Sequence, residues 1–261
     1  MKTKKRFEKK NLRRGIYILP NIFTSLNIFC GFYALISSIN GNFIAAAISI
    51  VIAVVFDALD GKIARATNTT SKFGVEYDSL ADLVSFGLAP GVMMYLWALK
   101  PLGRIGWLAA FLFMTCGALR LARFNTQSDT ISSDHFVGLP IPAAASMNAT
   151  TILFCHGLGL AGNSKPILIL VMLYFLSFLM VSSIKYDSFK KPELFKRMNF
   201  NVLVAAILIL IFIAAQPHIA LFLLALAYVT SGPFTFILHH KKITKDKSTI
   251  NKTDKHKATS V

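Results

Sequence analysis

Eight apolar runs long enough to cross a lipid bilayer constrain this chain more than any motif in it. They fall at about 17–39, 43–65, 78–99, 104–124, 139–161, 165–185, 199–216 and 218–238, and a helix needs ~20 residues to span the hydrocarbon core. Lipid offers the backbone no hydrogen-bond partner, so runs of this length fold as helices that satisfy their own amides. Composition agrees: 54% of the 261 residues are hydrophobic and 15% are charged, whereas soluble domains carry about 25% charged residues. The pattern predicts an all-α polytopic membrane helix bundle with about eight transmembrane helices. The seventh and eighth runs are parted only by Gln216-Pro217-His218. Merged, they would make about 40 apolar residues, too many for one crossing.

A net charge of +16 raises the question of nucleic acid, and the placement of the charge answers it. The 1–15 arm holds eight Lys or Arg, the 62–73 loop three, the 119–139 region two, the 185–198 loop five and the 239–261 tail seven. With eight spans all of these share one side, and the other receives only Lys100, Arg104 and Lys165. By the positive-inside rule both termini face the cytoplasm, with the basic arm against anionic headgroups. The tail lacks interleaved aromatics and reads as a disordered juxtamembrane segment, so no nucleic-acid partner is expected. A basic start before an apolar run also resembles a signal peptide. Here the run is long, begins with Pro20-Asn21 and lacks an Ala-x-Ala-like cleavage site.

Against this apolar background the acidic residues stand out. Five of the twelve (Asp57, Asp60, Glu76, Asp78, Asp82) fall within residues 57–82, with Asp57 and Asp60 ending one apolar run and Asp78 and Asp82 beginning the next. An ionised side chain at membrane depth costs roughly 2.5–3.5 kcal/mol even on the mildest insertion scale, so such groups face a polar interior. Asp57 and Asp60 are i, i+3; Asp78 and Asp82 are i, i+4; each pair shares one helix face. Two helices meeting there bring four carboxylates to one point, the oxygen-rich donor set that hard divalent cations select. Gly61 and Ala64 follow the face of Asp57, and Gly74 lies one turn before Asp78. Small residues there either pack helices closely or leave room for a ligand, beside which Arg65 offers a phosphate-binding fork.

The run Asp57-x2-Asp60-Gly61-x2-Ala64-Arg65-x8-Gly74-x3-Asp78-x3-Asp82 resembles, without a departure, the signature of the CDP-alcohol phosphatidyltransferase family. The resemblance extends over residues 16–190. The segments Leu19–Phe32, Cys116–Asn125 and Phe136–Pro142 look like the serine-using branch of that family. It implies a core of six transmembrane helices at 16–190, followed by two further helices at 191–238 and the tail. It also implies transfer of a phosphatidyl group from CDP-diacylglycerol to L-serine, giving phosphatidylserine and CMP, by a homodimer among membrane lipids. In that reading Asp57, Asp60, Asp78 and Asp82 hold two Mg²⁺ or Mn²⁺ ions, and Asp82 is the base for the serine hydroxyl. Gly61, Ala64, Arg65 and Gly74 would line the CDP moiety.

Other residues leave alternatives open. Asn21, Thr24 and Asn27 lie at i, i+3, i+6 in the first span, fit either to bond a neighbouring helix or to help hold the nucleotide. Arg120 and Arg123 have no acidic residue in their own helix. They snorkel to headgroups or meet an anion, the acceptor's carboxylate or the lipid phosphate. Lys185 is a membrane-edge lysine or a further headgroup contact. Cys30, Cys116 and Cys155 lie in separate runs with no metal spacing and read as buried thiols. Gly87-x3-Gly91 suits a helix-packing or dimer seam. Two other functions remain in view. A different acceptor (glycerol 3-phosphate, inositol phosphate or choline) would keep the fold, and a cation pathway through the carboxylates would leave the Gly, Ala and Arg offsets unexplained.

Overall fold

The computed structural model describes residues 2–67, 69, 71–127, 135–160, 165–187 and 215–236, with backbone alone at 2–18, 127, 135–137, 185 and 187. The tail and almost all of the seventh apolar run lie outside the described residues. Helix α1 (Lys2–Ile39) continues from the basic arm straight into the first apolar run. A turn at Asn40–Asn42, where Gly41 adopts φ +78° as only glycine does readily, reverses the chain into α2 (Phe43–Ala66). The two helices pack along their length because the facing residues are small: Ala34, Ala46, Ala47 and Ala53 are all buried. Ser49 seals the contact by donating to the Cys30 carbonyl at 2.8 Å.

The third apolar run is one continuous rod over Lys72–Leu102 with its ladder changing register twice. It consists of α3 (Lys72–Asp82), a π-helical stretch Leu83–Leu88, α4 (Ala89–Met94), a second π stretch Tyr95–Leu99 and one 3₁₀ turn. Pro90 explains the first change. It has no N–H to give to the carbonyl four residues back, and the Ala89 N–H reaches Val84 O instead, the wider π spacing that accompanies functional sites in helices. Ser85, inside that stretch, donates to the Asn27 carbonyl at 2.8 Å. The helices approach so closely here that a Cβ on Gly31 would come within 2.7 Å of Ser85 Cα. Gly31→Leu is therefore expected to force α1 off this stretch, destabilising the protein by about 1–3 kcal/mol. A lower unfolding midpoint in detergent would register the change, and an unchanged midpoint would contradict the contact.

Helix α5 (Arg104–Gln127) follows. Gly91 lies 3.2 Å, measured from a built Cβ, from the Ala110 carbonyl of α5, so Gly87-x3-Gly91 is an internal packing seam. Then come β1 (His135–Val137), α6 (Ile141–Gly157), α7 (Pro166–Val181), β2 (Lys185–Asp187) and α8 (Pro217–Phe236). The strands pair antiparallel, Phe136 opposite Tyr186, and they are the one departure from all-α among the described residues. Sequence periodicity misses three-residue strands. The core is built of Ile50, Phe86, Met93, Phe113, Ile141 and Leu173, all buried, while Phe29, Phe32, Ile167 and Phe178 lie exposed on the outside, where a bilayer covers them.

Among the described residues five helices are long and apolar enough to cross a membrane: Leu19–Ile39, Phe43–Ala66, Lys72–Leu102, Arg104–Thr126 and Pro217–Phe236. They coincide with five of the expected runs. The expected fifth and sixth spans correspond to α6 and α7, of 17 and 16 residues. Both are shorter than the runs that suggested them. Pro140 and Pro142 set where α6 begins, and Gly159 at φ +69° follows its end. The three cysteines are free, Cys30 and Cys116 buried and Cys155 partly so.

Candidate active site

The last two turns of α2, the body of α3 and the first membrane turns of α1 converge at one end of the bundle. One carboxylate oxygen from each of Asp57, Asp60 and Asp78 lies within 4.8 Å of the others. The helical spacing read in the sequence is what turns both pairs inward. Asp60 is buried and accepts a hydrogen bond from Thr24 at 2.9 Å. Asp82, one turn deeper than Asp78 and also buried, accepts from Asn27 Nδ2 at 3.3 Å and is hydrogen-bonded to Asp57. Two carboxyl groups this close need a proton or a cation between them. Asp78 Oδ1 is buried with no partner, and a buried acceptor without a donor is costly. All-oxygen donors, short mutual distances and an orphaned carboxylate oxygen fit a hard divalent cation.

Beside the carboxylates opens a cavity of about 190 Å³. Its walls include Asn21, Thr24, Gly61, Ala64, Arg65 and Gly74, six residues assigned to the nucleotide from the sequence, along with Asp60 and Asp78. The room comes from the missing side chains: a Cβ on Gly61 would stand 3.6 Å from the Arg65 guanidinium, and one on Gly74 would stand 3.8 Å from Asn21 Oδ1. The first turn of α3 forms one wall, capped by Ser71, whose Oγ accepts from the Gly74 N–H at 3.0 Å. A helix N-terminus favours an anion. Asn27, grouped with Asn21 and Thr24 in the sequence, is not on this wall. It binds Asp82 instead, and its Oδ1 is buried without a partner.

Sequence reasoning missed Thr69, Ser71 and Val75 of the cavity wall. Ser71 carried a signal, a serine three residues before a helical glycine. Tyr77, whose hydroxyl is 2.9 Å from Ser25 Oγ, carried none. The arginines separate. Arg120 is 9% exposed and lies within electrostatic reach of Asp82 and Asp57, whereas Arg123, one turn on, is half-buried. Lys185 sits in β2 opposite Val137.

Residues 17–182 match the family described as CDP-alcohol phosphatidyltransferase, a span that holds every carboxylate of the cluster. The chain belongs to the CDP-alcohol phosphatidyltransferase family. The five apolar helices and this membership make it an integral membrane protein. It is 37% identical over 234 residues, 89% of this chain and 97% of the relative, to a CDP-diacylglycerol–serine O-phosphatidyltransferase of Helicobacter pylori. A protein of the same name from Methanocaldococcus jannaschii is 34% identical over 86% of this chain and 96% of its own length. An archaetidylserine synthase of Methanothermobacter thermautotrophicus is 38% identical over 64% of this chain and 69% of its own length.

Proposed function

We propose that this member of the family transfers the phosphatidyl group of CDP-diacylglycerol to L-serine, forming phosphatidylserine and releasing CMP. The observation that carries this reading is the carboxylate cluster opening onto a cavity walled by the family's small residues and Arg65. Serine is favoured as acceptor because the relatives' names share it while differing in the lipid.

Asp57, Asp60, Asp78 and Asp82 would hold the divalent cations, two Mg²⁺ or Mn²⁺ ions. Bound there, the ions supply the positive charge that steadies attacking and leaving oxygens in such a displacement. The chain's own residues do the rest. Gly61, Ala64 and Gly74 leave space for the cytidine diphosphate against the backbone, and Arg65, Asn21 and Thr24 border it. The serine hydroxyl attacks the phosphorus that bears diacylglycerol, the bond to the CMP oxygen breaks, and Asp82 takes the hydroxyl proton. Asn27 fixes the Asp82 carboxylate through 3.3 Å. Arg120, beside Asp82, receives the serine carboxylate as a charge-assisted pair. Arg123 and Lys185 serve the lipid phosphate.

About eight crossings would place 25 of the 28 Lys and Arg on one side, and the positive-inside rule then puts both termini and the site at the cytoplasmic face. The catalytic core then occupies 16–190, two further spans 191–238, and the protein works as a homodimer.

The deciding experiment is CMP release by the purified protein in detergent with CDP-diacylglycerol, a divalent cation, and serine, glycerol 3-phosphate, inositol phosphate or choline in turn. Release with serine alone is expected. Release with another acceptor alone overturns the substrate, and no release with any acceptor overturns the reaction. Arg120→Lys, which keeps the charge but loses the fork, is expected to raise KM for serine about tenfold or more with KM for CDP-diacylglycerol little changed; equal changes in both would remove Arg120 from the acceptor.

A further inference from the structure

Helix α3 carries two of the four carboxylates, yet little of it is packed against the bundle. Of its 11 residues only Ala81 and Asp82, at its end, are buried, while its apolar residues Phe73, Val75 and Leu80 are exposed. A helix at a protein surface takes its rotation from a buried apolar stripe, and none runs along this one. The π-helical stretch Leu83–Leu88 that follows shifts the ladder's register, so the packing beyond it does not by itself set where Asp78 points.

Polar bonds supply the missing constraint. Tyr77, Asp78 and Ser79 are consecutive and leave the helix about 100° apart, with Asp78 between the other two. On one flank the Tyr77 hydroxyl lies 2.9 Å from Ser25 Oγ of α1. Ser25 gives its own proton to the Asn21 carbonyl at 2.8 Å, which makes Tyr77 the donor. Phe73, one turn earlier, braces the tyrosine ring, stacked with centroids 5.8 Å apart and planes at 13°. On the other flank Ser79 gives its proton to the Val75 carbonyl at 3.0 Å, nearer than Asn125 Oδ1 at 3.4 Å. Its oxygen then accepts from Asn125 Nδ2 of α5 at 3.0 Å, and the same amide reaches Glu76 at 3.5 Å. The helix is thus tied to α1 on one side of Asp78 and to α5 on the other. Asp78 itself has an oxygen buried without a partner and contributes to the trio within 4.8 Å.

We propose that Tyr77 and Ser79 are positioning residues, a two-sided clamp whose bonds to Ser25 and Asn125 fix the rotation of α3 and so hold Asp78 towards Asp57 and Asp60 for a divalent cation. The proposal rests on the reading of those carboxylates as the cation site. It gives Asn125, five residues after Arg120 on α5, a part in setting the carboxylate helix.

The test is binding of Mn²⁺ alone to the purified full chain in detergent, followed by loss of the free ion's EPR signal, with the unfolding midpoint measured in parallel without cation. Tyr77→Phe keeps the ring on Phe73 and removes only the hydroxyl; Ser79→Ala removes the bond on the other flank. Each is expected to raise the Kd for Mn²⁺ by about threefold to tenfold, and the double variant by about 10–100-fold, the range for groups that orient a metal ligand. The cation-free midpoint should move by no more than about 2–4 °C. A double variant that binds Mn²⁺ as tightly as wild type, while Asp78→Asn binds it poorly, overturns the clamp alone. Weakened binding with a midpoint lowered by more than that also overturns it, by showing a general loss of structure. If wild type binds no Mn²⁺, the cation site falls, and the clamp with it.

Discussion

Asp78→Asn is expected to reduce CMP release by about 10³-fold or more while leaving the protein folded. Asp78 is the most informative of the cluster to change. Asp60 is tied to Thr24 and Asp82 to Asn27, so replacing either also breaks a bond between helices. Asp78 has an oxygen that is buried without a partner, and an isosteric amide there removes charge with little loss of packing. Because Asp78 also contributes an oxygen to the trio held within 4.8 Å, the charge removed is charge that would hold a cation. Three readouts separate this from general damage. Chelation should silence the wild type, and added Mg²⁺ or Mn²⁺ should restore it. The same cations should raise the unfolding midpoint of the wild type, as any ligand of the folded state does, and raise that of the variant far less. High cation concentration should recover part of the variant's rate. A variant that turns over within about tenfold of wild type at equal cation concentration would mean that Asp78 is not a ligand.

The carboxylate geometry was legible because membrane burial makes each acidic residue informative. An aspartate at the end of an apolar run has few places to go, and helical spacing then fixes which side chains meet. The same logic reached Gly61, Ala64 and Gly74, since a missing side chain at a fixed offset marks space whether or not the ligand is known. It stopped where one spacing serves two neighbours. Asn21, Thr24 and Asn27 share a face, yet the face is long enough that Asn21 borders the cavity while Asn27 meets Asp82 and Ser85 lies behind it. Run length likewise overstated α6 and α7, because prolines and glycines end a helix inside an apolar stretch without making it less apolar.

Asp82→Asn is expected to separate binding from chemistry: affinity for CDP should stay within about threefold of wild type while turnover falls by about 10²–10⁴-fold, the range for loss of a general base. The reason is position. Asp82 is not on the wall of the cavity assigned to the nucleotide. It sits deeper, hydrogen-bonded to Asn27 and Asp57 and facing Arg120. An acceptor whose carboxylate meets Arg120 would carry its hydroxyl towards Asp82 rather than into the cavity assigned to the nucleotide. Titration of CDP into the purified variant measures the first quantity, and CMP release at saturating serine measures the second. Microscopic reversibility adds a third: formation of CDP-diacylglycerol from phosphatidylserine and CMP should fall by the same factor, because the residue that takes the proton in one direction returns it in the other. If CDP affinity collapses as far in Asp82→Asn as in Asp57→Asn, Asp82 serves as a ligand alone, like its neighbours, and not as the base. The proton must then leave through another group, and Asp57, its hydrogen-bonded partner, becomes the one to test.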